Sequence, residues 1–170
     1  MSAAEARSSV VYGSGATGVV DESSRRSLRL TPSTQTRALV LDRLRSSMSA
    51  IGEHFGVRLS ECEDPQFLRY KIGDFFVAHQ DGNTGLLRLD TEQRRVSTVI
   101  YLSRESDEPE PGAHCGGSLI FTNLRATQPE DAKFRVVAEP GTLIAFRSET
   151  THEVTPVTHG ERHSIVSWYR

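Results

Sequence analysis

Apolar positions divide the chain into two textures. Between residues 36 and 56, Leu41, Leu44, Met48, Ile51 and Phe55 recur at spacings of three, four, three and four. That period places them on one face of a helix, with Arg37, Arg43, Arg45 and Glu53 off it. Ser33, Thr34 or Thr36 can cap its start, and Gly56 suits its end. After Gly56 the texture becomes β. Short runs rich in β-branched and aromatic residues alternate with turn clusters. They predict strands near 67–72, 75–79, 95–102, 118–122, 134–138, 142–147, 152–157 and 163–169. Pro140-Gly141 and His159-Gly160 mark turns, and 80–94 and the acidic 103–116 read as longer loops. No helix-length segment separates the late strands, which argues against a parallel βαβ sheet. The expected fold is mainly β (α+β): a double-stranded β-helix, or jelly roll, with one or more N-terminal helices packed on the outside. Residues 1–170 read as one domain, with an N-terminal arm or edge strand (1–33), a supporting helix (34–56) and the jelly roll (67–170).

Composition narrows the function. Twenty basic and 22 acidic side chains leave a net charge of −2. That balance argues against a nucleic-acid partner held by phosphate neutralisation. No apolar run exceeds four residues, whereas a helix crossing a bilayer needs roughly 20. The N-terminus lacks the basic start and apolar stretch of a signal peptide. Cys62 and Cys115 have no CxxC spacing and are too few for a disulfide scaffold. Together these features predict a cytoplasmic protein with reduced thiols and no membrane partner.

Two motifs carry candidate chemistry, and they differ in weight. Gly13-Ser14-Gly15-Ala16-Thr17-Gly18 matches GxGxxG. A dinucleotide site also needs a following helix and a βαβ context, and both are missing, so this segment reads as a turn. His79-x-Asp81, with His152 73 residues after His79, is more pointed. Residues two apart in a strand share a face, so His79 and Asp81 can reach one ion. Two imidazoles and one carboxylate form the facial triad of non-haem Fe(II) sites. Ten residues after His152 comes Arg162, across a Pro156 and Gly160 turn segment, so the two strands can be antiparallel neighbours. Its planar fork suits a carboxylate. A metal with open positions and an inward arginine describes a pocket for a dicarboxylic acid that chelates iron at one end.

The wider pattern runs Tyr70-x-x-Gly73, Phe76-x-x-His79-x-Asp81, Tyr101-Leu102, Gly116-Gly117-x-x-x-Phe121, Pro140-Gly141, Phe146, His152 through Arg162, and Trp168. Across about 67–170 it resembles the 2-oxoglutarate- and Fe(II)-dependent dioxygenases of the prolyl 4-hydroxylase type, with weaker similarity around Val20-Asp21 and Arg25-Arg26-Ser27. The resemblance implies His79, Asp81 and His152 as iron ligands, and Arg162 as partner of the distal carboxylate of 2-oxoglutarate. It implies Tyr70 and Tyr101 as hydroxyl contacts to that cosubstrate; ordinary β-sheet core tyrosines are the competing reading. It implies O₂ as co-reactant and ascorbate as reductant. Trp168, Phe76 and Arg94 match substrate-contacting positions, although Arg94 also reads as a solvated surface residue. Phe76 stands where relatives carry a tyrosine, and Leu119 replaces a threonine. The carboxylate at Asp81 favours hydroxylation over halogenation, which leaves that position to chloride.

The resemblance implies a hydroxylase of an unactivated C–H bond, with a prolyl residue of a peptide or protein as substrate. A free amino acid or small metabolite, and a non-catalytic cupin-like metal- or ligand-binding module, remain alternatives. A zinc hydrolase would need a positioned general base, and none is evident. The other histidines have ordinary readings. His54 sits near a helix end, His159 in a turn, and His163 on the opposite side of its strand from Arg162. His114 and Cys115 close the acidic loop, which with 80–94 is a candidate lid.

Overall fold

A computed structural model describes residues 7–8, 23–83, 90–122 and 132–170. The GxGxxG segment, the Val20-Asp21 similarity and part of the 80–94 loop lie outside the described residues. Its elements in chain order begin with β1 (Arg7–Ser8), β2 (Arg25–Arg26), β3 (Leu28–Leu30), α1 (Thr34–Phe55), β4 (Gln66–Tyr70) and β5 (Phe75–His79). A 3₁₀ turn (Asp90–Gln93) precedes β6 (Val96–Tyr101), β7 (Arg104–Glu105), β8 (Ala113–Gly116), β9 (Leu119–Thr122) and β10 (Lys133–Val136). The chain closes with β11 (Leu143–Arg147), β12 (His152–Val154), β13 (Val157–His159) and β14 (Arg162–Tyr169).

The helix follows its sequence pattern. The Ser33 side chain accepts the Thr36 backbone N–H, which supplies the N-cap. Gly56 ends the helix at φ 64°, a left-handed conformation that only a residue without Cβ adopts freely. Its apolar stripe covers the outer face of the large sheet. Leu44 packs with Val96, Tyr169 and Cys62, and Leu41, Met48, Ile51 and Phe55 fill in around them. The Tyr169 hydroxyl donates to the Leu44 carbonyl at 2.8 Å, tying the last strand to the middle of the helix.

Six strands form the large sheet in the order β1-β3-β4-β14-β6-β11, and five form its partner in the order β10-β9-β12-β5-β2. A third sheet, β13-β8-β7, contains the parallel pair β7–β8; the other described pairings are antiparallel. The expected jelly roll with an outer helix is what forms. Alternation along β14 explains how one strand serves two layers. Arg162, Ser164, Val166 and Trp168 face a cavity between the sheets, while Tyr169 faces the helix. Apolar clusters close the rest of the interior: Val99, Tyr101, Leu119, Phe121 and Phe146 in one, Leu68, Tyr70, Val154 and Val157 in another.

Three expectations are corrected. The strand expected over 152–157 breaks into β12 and β13, because Pro156 has no N–H for a ladder and its carbonyl turns to Gly117. β12 then stays in the five-stranded sheet and β13 joins β8, so His159 ends a strand instead of lying in a turn. The expected loop 103–116 contains β7 and β8, with His114 and Cys115 buried. Its acids are tied down: Arg135 holds Glu105 and Asp107, and Arg104 holds Glu110. No residue of 103–116 lines the cavity between the sheets.

Candidate metal centre

His79 ends β5 and His152 begins β12, and the two are register partners across the ladder. Asp81 follows two residues after His79, held by its N–H to the Ser148 carbonyl at 2.9 Å. Its two carboxylate oxygens lie 3.6 Å from His79 Nε2 and 3.5 Å from His152 Nε2. The ligand atoms of these three side chains all lie within 4.8 Å of one another, close enough to share one ion.

Each imidazole is oriented by the backbone two residues before it. His79 Nδ1 meets the Val77 carbonyl at 2.8 Å, and His152 Nδ1 meets the Thr150 carbonyl at 2.9 Å. A carbonyl can only accept, so both Nδ1 atoms carry the proton and both Nε2 lone pairs point at Asp81. Burial pushes the His152 titration down, against the pull of Asp81, and keeps the ring neutral. Burial also works against the charge of Asp81. It is outweighed by the neighbouring imidazoles of His152 and His79 and by a hydrogen bond from Ser97, so the carboxyl titrates below its usual range. One anionic and two neutral donors aimed at one point suit a divalent cation. With no thiolate among them, they match iron.

The centre opens on a cavity of about 330 Å³ between the sheets. At one end stands Arg162, 2% exposed, on the first position of β14. Its Nη1 donates to Ser164 Oγ at 2.9 Å, and its guanidinium carbon lies 5.2 Å from the Tyr70 ring centre and 5.6 Å from that of Tyr101. Arg162 Nε and the Tyr101 hydroxyl are both buried without a hydrogen bond of normal geometry. Unpaired buried donors are costly, about 1–3 kcal/mol each, which marks this end as built for an acceptor that comes with a ligand. Gly117 makes room for the arginine: a Cβ there would meet Val157 Cγ2 at 2.8 Å and Arg162 Cδ at 3.1 Å.

The wall away from Arg162 is a braced stack. The Arg94 guanidinium lies 3.7 Å over the Trp168 ring. Glu63 grips it with two bonds of 2.7 Å, and Arg170 adds a third contact to the same carboxylate at 3.0 Å. The Arg94 side chain is 12% exposed, so the solvated-surface reading of Arg94 is corrected. The structure thus brings His79, Asp81, His152, Arg162, Tyr70, Phe76, Arg94 and Trp168 to one cavity, and sets Tyr101 beside Arg162. Two contributors lacked a sequence signal of their own. Glu63 acts on a residue 31 positions away. Arg25 reaches the cavity from an edge strand whose similarity was visible only as a short polar run.

The family model of the 2OG-Fe(II) oxygenase superfamily matches residues 65–170. A PKHD-type hydroxylase of Shewanella oneidensis is 32% identical over 109 residues, covering 61% of this chain and 41% of the relative. A PKHD-type hydroxylase of Burkholderia lata is 27% identical over 161 residues, covering 93% of this chain and 66% of that protein. The chain thus spans about two fifths of the length of the Shewanella relatives it matches. Among solved structures, a Pseudomonas putida prolyl-4-hydroxylase superposes with a TM-score of 0.65 at 27% identity, over 89% of this chain and 72% of the other. A Trichoplax adhaerens prolyl hydroxylase, solved with a hypoxia inducible factor peptide fragment, superposes at 0.64 with 19% identity, over 94% of this chain and 70% of the other, and supports the fold.

Proposed function

The chain belongs to the 2OG-Fe(II) oxygenase superfamily, and from that premise we propose that it is an Fe(II)- and 2-oxoglutarate-dependent hydroxylase of a prolyl residue in a peptide or protein. His79, Asp81 and His152 hold the iron. Arg162 pairs with the distal carboxylate of 2-oxoglutarate, with the Tyr70 and Tyr101 hydroxyls beside it. Trp168, Arg94 and Phe76 border the substrate. The observation that carries this reading is one cavity with three convergent metal donors at one station and, at another, a buried arginine whose Nε has no hydrogen-bond partner.

Iron and 2-oxoglutarate, when bound, supply the two-electron oxidation by O₂ that converts C–H to C–OH and yields succinate and CO₂. The chain supplies binding, orientation and a dry site. The backbone carbonyls of Val77 and Thr150 fix the imidazole tautomers. Arg162 fixes the length and direction of the cosubstrate by a charge-assisted fork. Phe146 and Phe121, edge-on and tilted against His152 at 4.8 and 6.1 Å, exclude water from behind the metal ligands. Ascorbate serves to keep the iron reduced. The two buried free thiols, Cys62 and Cys115, support a reducing compartment, the cytoplasm.

One observation favours a second reading. Arg25 lines the cavity, is 8% exposed, and forms no ion pair with a carboxylate among the described residues. A free amino acid could place its carboxylate there. A turnover screen separates the readings: the protein is loaded with Fe(II) under controlled oxygen, and succinate release is measured with proline-containing peptides and with free amino acids. Stimulation by peptides alone supports the prolyl hydroxylase. Stimulation by free amino acids alone replaces it with the second reading. Binding of Fe(II) and 2-oxoglutarate without turnover on either set leaves a cupin-like binding module.

A further inference from the structure

We infer that Phe76 is a positioning residue for His79, clamped in a three-layer stack with Arg25; this rests on the iron-site reading above. The phenyl and imidazole rings are parallel within 17°, with centroids 3.5 Å apart. On the other side, the Arg25 guanidinium lies 4.6 Å from the Phe76 centre. Both faces of the phenyl ring are therefore covered, and only its edge is left to the cavity it lines.

The backbone makes this arrangement. Phe76 and His79 are three residues apart, and in a regular strand such residues point to opposite faces. Here β5 bulges against β12. Two steps along β12, from His152 to Val154, oppose three steps along β5, from His79 to Phe76. One extra residue in β5 returns Phe76 to the face that His79 occupies, and bulges next to functional sites re-aim side chains in this way. Arg25 is the direct register partner of Phe76 on β2, which sets its guanidinium over the ring. The Val77 carbonyl, inside the bulge, holds His79 Nδ1. Bulge, stack and hydrogen bond thus fix the same imidazole in three different ways.

The chemistry favours the loaded site. An aromatic face carries negative potential and attracts positive charge. Arg25 meets one face. On metal binding the His79 imidazole donates its lone pair and becomes electron-poor, so its attraction to the other face grows. The stack therefore binds the metal-loaded ring more strongly than the free one, and it fixes the ring plane before metal arrives. Phenylalanine serves this role through its ring alone.

Three proteins test the inference: wild type, Phe76→Leu and Phe76→Tyr, with Co(II) as an air-stable metal probe. In the metal-free proteins, the His79 ring protons are expected upfield in the NMR spectrum of wild type and Phe76→Tyr, and near their ordinary position in Phe76→Leu. Co(II) affinity, followed by its visible absorption, should fall about three- to tenfold in Phe76→Leu and stay within about twofold of wild type in Phe76→Tyr. Phe76→Met replaces the leucine variant if the latter does not fold. Unchanged His79 shifts, or unchanged Co(II) affinity in a folded non-aromatic variant, overturns the positioning role. Wild-type protein that binds no Co(II) overturns the iron-site reading instead.

Discussion

Arg94 lies over Trp168 while Glu63 holds one edge of its guanidinium, Nε and a terminal nitrogen, with a carboxylate that Arg170 shares. Glu63→Gln removes the charge and half of the bidentate grip. Arg94 is then freed from Trp168, and the expected result is roughly a tenfold rise in KM for a peptide substrate, the scale of losing a charge-assisted pair. The affinity for 2-oxoglutarate should not move, because Arg162, its proposed partner, stands at the other end of the cavity. Steady-state kinetics varied in each substrate checks both halves.

Arg162→Ala deletes a buried cation at the far end of the cavity. Loss of a buried charge-assisted partner costs about 2–5 kcal/mol, so the affinity for 2-oxoglutarate should fall at least tenfold. Titration calorimetry with a redox-inert metal in the site measures this directly. Metal affinity itself should be retained, since none of the three convergent donors touches Arg162.

Asp81→Ala leaves two neutral imidazoles and no anion at the metal centre. The variant should purify and reconstitute with far less than one Fe(II) per chain, and succinate formation should fall to background. Metal analysis after desalting and an Fe(II)-dependent turnover assay are the two measurements; activity near wild type would remove Asp81 from the centre.

Local regularities made much of this legible in advance. The stripe of Leu41, Leu44, Met48, Ile51 and Phe55 marks a helix because its period is set by one element. His79 and Asp81 stand out by their two-residue spacing, but the antiparallel pairing expected for the strands of His152 and Arg162 does not form: β13 intervenes, β12 and β14 lie in different sheets, and Arg162 reaches the cavity from the large sheet. What escaped depends on contacts between distant segments. Glu63 meets Arg94 only once β4 and β6 are in place around β14. The bulge between Phe76 and His79 is a property of the β5–β12 register, which no spacing within β5 reveals. β7 has two charged residues, so it carries no apolar alternation, and nothing within it announces its pairing with β8.

His114 gives the fold a dependence on pH. It is fully buried; burial first, and then the positive Arg162 nearby, push its titration below the ordinary 6.5. As pH falls through about 6.5 the unfolded chain takes up this proton and the folded chain does not, so folded-state stability declines on the acid side. The slope per such group cannot exceed about 1.4 kcal/mol per pH unit. Urea midpoints should therefore drop between pH 7.5 and 5.5. His114→Gln should shrink that drop without abolishing it, because burial also pushes His152 down.

The helix is predicted to act as a structural brace whose loss is felt in stability before chemistry. Leu44 is 1% exposed at the centre of its contact with Val96 and Tyr169. Leu44→Ala removes that contact and leaves a cavity, at a cost of about 2–5 kcal/mol. Tyr169→Phe keeps the ring and deletes only the hydrogen bond to the Leu44 carbonyl, at about 0.5–1.5 kcal/mol. The two changes meet at one point, since the hydroxyl bonds the backbone of the very residue truncated in the other. Their effects in urea should therefore be non-additive. Metal affinity at room temperature should be unchanged in Tyr169→Phe, because β14 presents Tyr169 to the helix and Trp168 and Arg162 to the cavity. A metal affinity that falls with the hydroxyl would mean that helix docking also shapes the inner face of β14.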